Sequence, residues 1–289
     1  MLQVLASGMA LGSIYALVAL GFSITWVTTQ TLNFAQGELV MLGAMLGVTL
    51  YVTWGWPLLV AGAVTVALVA AAGVVLQRLA VAPFAKGETA IGWILSTVAV
   101  SIALRNLAEL IWGREALAFP SPLGDRLVAL GPVRLAPQQL LILASLVVVV
   151  AGLSAFLSRS VWGKALVAVA ENRTAAALAG IPPAAVAALA FGISAALAGM
   201  AGLLVAPVTF ASATMGLSLV VKSFAVAVIG GLASLRGVVI AGLAFGAVEA
   251  MVARYLGPEF RDIFGLLLIV AVLAVRPTGL FGHREVVKV

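Results

Sequence analysis

Apolar runs of about 20 residues, long enough to cross a bilayer as helices, recur along the whole chain. Short Gly, Pro or charge clusters such as Trp54–Pro57, Ala82–Glu88 and Gly113–Pro137 separate them. The pattern predicts an all-α, polytopic integral membrane protein with nine transmembrane segments, forming one domain over residues 1–289. The segments are 3–27, 31–53, 57–77, 90–112, 137–157, 184–206, 218–235, 237–255 and 262–275. No charged residue anchors the link between the first two, so eight spans with part of 1–53 re-entrant fits the same pattern.

One polar interruption differs from the others. Residues 158–183, SRSVWGKALVAVAENRTAAALAGIPP, form a long polar stretch that also reads as helix. Asn172 can accept a free backbone N–H of a first helical turn, Gly180 suits the left-handed position past a helix end, and Pro182 stops continuation. The helix between them, Arg173 to Ala179, is about 10 Å long at 1.5 Å per residue, too short to span. It reads either as an ordinary structured loop or as a handle for another protein.

Composition supports the membrane reading: 64% of residues are hydrophobic and 9% are charged, which excludes a soluble domain. Cysteine is absent, which removes disulfides and thiolate metal sites. The formal charge of +6 is dispersed singly through loops, unlike a nucleic-acid stripe. The first basic residue is Arg78, so no signal-peptide n-region is expected. With 158–183 in the cytoplasm, alternation puts the 78–89 loop and the tail from Arg276 inside, and the N-terminus with 113–136, 207–217 and 256–261 outside. Nine basic residues then lie inside (Arg78, Lys86, Arg159, Lys164, Arg173, Arg236, Arg276, Arg284, Lys288) and five outside (Arg114, Arg126, Arg134, Arg254, Arg261), the bias the positive-inside rule expects.

Candidate pathway residues are the polar ones at membrane depth. Glu38 is the only charged side chain in the first 77 residues and follows Thr28, Thr29, Gln30, Thr31, Asn33 and Gln36. A carboxylate within a span faces protein or water, and Gly37 beside it permits a helix break lining a cavity; otherwise 28–36 is a cytoplasmic turn. A second interruption, Gly230, Gly231 and Ser234 before Arg236 and Gly237, occupies the other half. Paired interruptions point to a passage between structural repeats, though tight glycine packing accounts for the second equally well. Arg105 and Glu109, four apart, are expected to neutralise each other. Lys222 is expected to snorkel from its outer helix end, and Glu249 to point into the bundle as pathway group or structural partner. His283 is expected to be solvated.

No catalytic constellation is present: there is no GxxxxGK[ST], no HExxH and no cysteine nucleophile, and no metal site is expected. Three stretches in order carry a resemblance: GSIYALVALGFSI with NFAQGELVMLGA (12–24 and 33–44), KALVAVAENRTAAALAGI (164–181), and VIGGLASLRGVVIAGLAFGAVEA (228–250). Together they resemble the branched-chain amino acid (Liv-type) permeases of ABC importers, over essentially the whole chain. The resemblance implies a bacterial inner-membrane, pore-forming subunit that imports branched-chain or related apolar amino acids. Urea, short-amide and aromatic-acid importers share the pattern. It further implies a second permease chain, two ATPase subunits that bind ATP and Mg, and a periplasmic or lipid-anchored binding protein. The segment with Asn172, Arg173, Ala175, Ala176, Leu178, Gly180 and Ile181 would dock on the ATPase. On residues alone, a stand-alone secondary transporter or channel, a membrane enzyme and a structural subunit remain open. Glu38 and Glu249 are the only coupling-ion candidates for the first, and no catalytic cluster supports the second.

Overall fold

A computed structural model describes residues 1–85, 91–124, 126–130, 133–276 and 279–282, without the side chains of Ile91, Leu130 and Asp262. The helices are α1 Leu2–Thr29, α2 Gln36–Gly47 (continued by a π-turn, Val48–Thr53), α3 Leu58–Leu76 (continued by Gln77–Val81) and α4 Ile91–Trp112. A small antiparallel hairpin, β1 Val128–Leu130 with β2 Val133–Leu135, precedes α5 Pro137–Arg159. Then follow α6 Val161–Glu171, α7 Arg173–Leu178, α8 Pro183–Thr209, α9 Met215–Gly230, α10 Leu235–Tyr255 and α11 Phe260–Val275. Each of the nine expected apolar segments contains a helix, although residues 31–35 and 231–234 within them are not helical. Seven are long and apolar enough to cross a membrane, while Met215–Gly230 and Ile263–Val275 are shorter.

The described helices pack as two inverted halves. α1 and α8 lie together at the centre; α10 packs along α1 as α3 packs along α8. α9 sits beside α1 as α2 sits beside α8, and α4 closes on α2 as α11 does on α9. Opposed glycines fix the direction of these pairs: Gly8 meets Gly246 and Gly12 meets Gly242, so α1 and α10 run antiparallel with backbones nearly touching. A Cβ at Gly12 would come within 2.3 Å of the Gly242 carbonyl oxygen. Such small-residue seams replace the hydrophobic driving force that lipid removes. α5 has no counterpart in the other half and lies against α1 and α8.

The core follows this arrangement. α1 and α8 are buried over most of their length, including Ile14, Leu17, Ala190, Ala198 and Val205, whereas α3, α4 and α5 leave most of their apolar surface outward. A helix apolar all round is what a lipid-exposed span requires.

Candidate functional site

The polar break between α1 and α2 forms because helix geometry fails there. α1 ends at Gln30 in the left-handed region (φ 54°), and Thr29 and Thr31 join hydroxyls at 2.7 Å. Asn33 Oδ1 then accepts from Ala35 N (3.0 Å), and Asn33 Nδ2 donates to Gln36 Oε1 (3.3 Å). Gln36 Nε2 donates to the Ser194 carbonyl (3.1 Å), and Ser194 Oγ donates to Gln36 Oε1 (3.2 Å). Ser194 stands eleven residues into α8, about 16 Å from its start. The α2 N-terminus is therefore held near mid-depth along α8, where irregular backbone must be enclosed by protein.

Its structural counterpart is not the Gly230 segment. The link between α8 and α9 occupies the equivalent place, and the first turns of α2 and α9 meet at Gly37 and Gly216. Gly230, Gly231 and Ser234 instead make a tight hairpin. Gly231 takes φ 85°, Ser234 Oγ caps α10 by accepting from Gly237 N (3.1 Å), and Leu280 N donates to the Ile229 carbonyl (2.8 Å), which docks the tail there. The tight-packing reading describes this segment.

Two buried ion clusters correct the sequence-based pairing. Arg105 Nη2 donates to Glu38 Oε1 at 2.8 Å, joined by Ser101 Oγ at 3.1 Å. Glu109 instead accepts from Arg114 Nε (2.8 Å). Glu38, 2% exposed, would be a stranded charge without Arg105, whereas Glu109, 20% exposed, already has Arg114. Lys222 does not snorkel outward. Its Nζ lies 2.6 Å from Glu249 Oε1, which also accepts from Arg261 Nε at 2.8 Å. Glu249 is fully buried, so these contacts from α9 and α11 tie both helices to α10. Asn33, Gln36, Glu38 and Glu249 are all buried and internally partnered, so in this state they build seams. His283, Lys86, Arg284 and Lys288 lie outside the described residues.

The 158–183 segment folds as two capped helices. Ser160 Oγ caps α6 through Gly163 N (2.8 Å), and Asn172 Oδ1 caps α7 through Ala175 N (2.9 Å). α7 ends in a Schellman pair: Ile181 N donates to the Ala176 carbonyl and Gly180 N to the Ala177 carbonyl, both 3.0 Å, with Gly180 at φ 84°. Ala176 and Ile181 pack inward on the core, so Ala176 is not on the presented face. Arg173 and Ala175 are exposed, and Leu178 is 86% exposed. Leu178 is thus held outward on a short helix capped at both ends.

Residues 4–273 match the family described as branched-chain amino acid transport system / permease component. The chain is 33% identical over 302 residues to the high-affinity branched-chain amino acid transport system permease protein BraD of Pseudomonas aeruginosa, covering 100% of this chain and 98% of BraD. It is also 33% identical over 301 residues to the LivH permease protein of Escherichia coli K12, covering 100% and 97%. The chain belongs to this permease family. It is thus a multi-pass membrane transport protein and not an enzyme. The fold of this permease is shared with a chain of the Streptococcus pneumoniae PsaBC complex solved with Fab, at TM-score 0.51 and 10% identity, covering 96% of this chain and 91% of that one. Among the described residues, no group of three or more His, Cys, Asp or Glu could hold a metal.

Sequence reasoning missed Ser101 and Ser194, which sit singly in apolar helices and carry no local signal. The partnership of Arg261 with Glu249 was also missed, because it crosses between helices.

Proposed function

We propose that this permease is the pore-forming subunit of an ABC importer that moves branched-chain amino acids inward across a bacterial inner membrane. The observation that carries the reading is the end-to-end correspondence with BraD and LivH, whose names specify that solute. In this reading the N-terminus faces outside and the C-terminus the cytoplasm. A second, related permease chain completes the pore, a periplasmic or lipid-anchored binding protein delivers solute, and two ATPase subunits hold ATP and Mg.

The geometry supports a coupling route. α7, with Asn172, Arg173, Ala175, Leu178 and Gly180 at its open face and Ile181 anchoring it to the core, docks on the ATPase, and Leu178 fills a groove on it. Short linkers pass movement to α5 through α6 and to α8 through Pro182–Pro183. α8 carries Ser194, so its shift is felt at Asn33, Gln36, Gly37 and Glu38 in the mid-depth break. Glu249, through Lys222 and Arg261, and the Gly230–Gly231–Ser234 turn brace the other half, and the inverted halves rearrange about these seams to alternate access.

Vesicles reconstituted with both permeases and both ATPases, and supplied with binding protein, test the reading. ATP-dependent uptake of leucine, isoleucine or valine that requires this chain is expected. Uptake of urea, short amides or aromatic acids alone would overturn the solute assignment.

A further inference from the structure

We propose that the cleft between α3 and α5, over the last turns of α8, holds a phosphatidylethanolamine of the surrounding bilayer, its ammonium head at the helix ends and an acyl chain below. The proposal needs only that this chain spans a membrane. α3 and α5 both pack on α8, and a cavity of about 430 Å³ lies between them. Gly62 and Val66 of α3, Gln138 and Leu141 of α5, and Met200 and Pro207 of α8 are among the residues that line it. The volume falls in the range of small-molecule sites, roughly 300–1,000 Å³.

Polar and apolar lining separate by depth. The cleft opens where α3 and α5 begin and α8 ends. Gln3, at the start of α1, accepts from Arg134 N just before α5 (2.7 Å), so this is the end of the bundle at which α1 starts. Trp54 and Trp56, 61% and 37% exposed, stand just before α3 at the same end, as tryptophans do at a membrane–water boundary. From Leu58 to Val66 the cavity runs about 12 Å down α3, and from Pro207 to Met200 about 10 Å down α8. Gln138 and Pro207 sit at the shallow end, while Val66, Leu141 and Met200 make an apolar wall deeper in. Leu59, 86% exposed beside the mouth, belongs to the outward apolar surface of α3.

The shallow end holds acceptors in want of a donor. Gln138 is 5% exposed; its Nε2 donates to the Leu204 carbonyl at 2.7 Å, while its buried Oε1 receives no donor among the described residues. An unmatched buried acceptor is costly, so it calls for a partner. Pro207 has no N–H to give the Leu203 carbonyl its usual helical hydrogen bond. Gln138 and Leu203 both line the cavity. None of the lining residues is charged, so an anionic headgroup would go uncompensated, whereas a zwitterionic one brings its own balance. An ammonium offers three N–H donors, and charge-assisted bonds are the stronger kind. Choline, with its nitrogen fully methylated, offers none. Phosphatidylethanolamine is neutral overall, bears the donor, and is apolar below.

The full chain is purified in detergent and washed with equal amounts of phosphatidylethanolamine, phosphatidylcholine and phosphatidylglycerol of the same acyl chains. Lipid left on the protein is then measured by native mass spectrometry. Wild type is expected to retain phosphatidylethanolamine about tenfold over phosphatidylcholine, the worth of a hydrogen bond to a charged group. Gln138→Leu is expected to hold these two lipids equally. Gly62→Leu should hold neither, because a Cβ there meets nothing within 4 Å and the new side chain grows into the cavity. Gly152→Leu on α5, equally open but outside the cavity, should behave as wild type. Equal retention of phosphatidylcholine or phosphatidylglycerol by wild type overturns the proposal, a comparison that requires no variant to fold. So does a wild-type preference that survives in Gln138→Leu. Wild type that retains no lipid overturns it too, leaving the cleft to a neighbouring protein chain.

Discussion

Gly37 and Gly216 touch where the two inverted halves meet: a Cβ on Gly37 would lie 2.6 Å from the Gly216 carbonyl oxygen, and one on Gly216 would lie 2.3 Å from that of Gly37. Here the first turns of α2 and α9 cross backbone to backbone. Gly37→Val or Gly216→Val must push the helices apart, at a cost of about 1–3 kcal/mol for ordinary overpacking. Thermal unfolding in detergent is expected several degrees below wild type for both. Gly152→Ala, where a Cβ meets nothing within 4 Å, should unfold at or above the wild-type temperature. Equal midpoints for all three variants would contradict the packing.

The Glu38–Arg105 pair joins α2 to α4 inside the molecule. Removing one partner strands a buried charge, which typically costs about 3–5 kcal/mol. Arg105→Met is expected to lower membrane level and stability sharply, and Arg105→Met with Glu38→Gln to restore much of the loss. A double variant no better than the single one would show that the two charges act independently.

The topology is tested with single cysteines. Ala175→Cys, exposed on α7, should be labelled by an impermeant reagent from the cytoplasmic side only, and Pro122→Cys from outside only. Ala176 is unsuited to the test because its side chain is buried. Labelling of both from one side would overturn the orientation.

The part the break plays in transport is read through Asn33, which donates to Gln36 and accepts from the Ala35 amide. Asn33→Leu is expected to reduce uptake while ATPase association and binding-protein affinity stay near wild type. Wild-type uptake would show that the segment is only a turn.

Much of this architecture was legible in the sequence because lipid imposes a coarse rule: each apolar run must become a helix. The caps at Asn172 and Gly180 were legible for a similar reason, since helix ends demand particular residues locally. The ion pairs were not. Arg105 and Glu109 satisfy the spacing for an intrahelical pair, yet Arg105 binds Glu38, 67 positions away. Lys222 gave only its place near a helix end, while its contact with Glu249 depends on how α9 meets α10. The inverted repeat was equally hidden, because it resides in helix order and contact and leaves no matching motif. The Gly230–Gly231 break resembled its sign but proved to be a hairpin turn.

The coupling helix bears most directly on whether this permease is driven from the cytoplasm. ATP hydrolysis and leucine uptake are measured in the same vesicles for wild type, Leu178→Asp and Ala175→Arg, with the permease level in each matched. The account predicts normal insertion with uptake lost in both variants, and ATP hydrolysis either absent or no longer linked to solute. Uptake and ATPase association at wild-type level in both variants would contradict it.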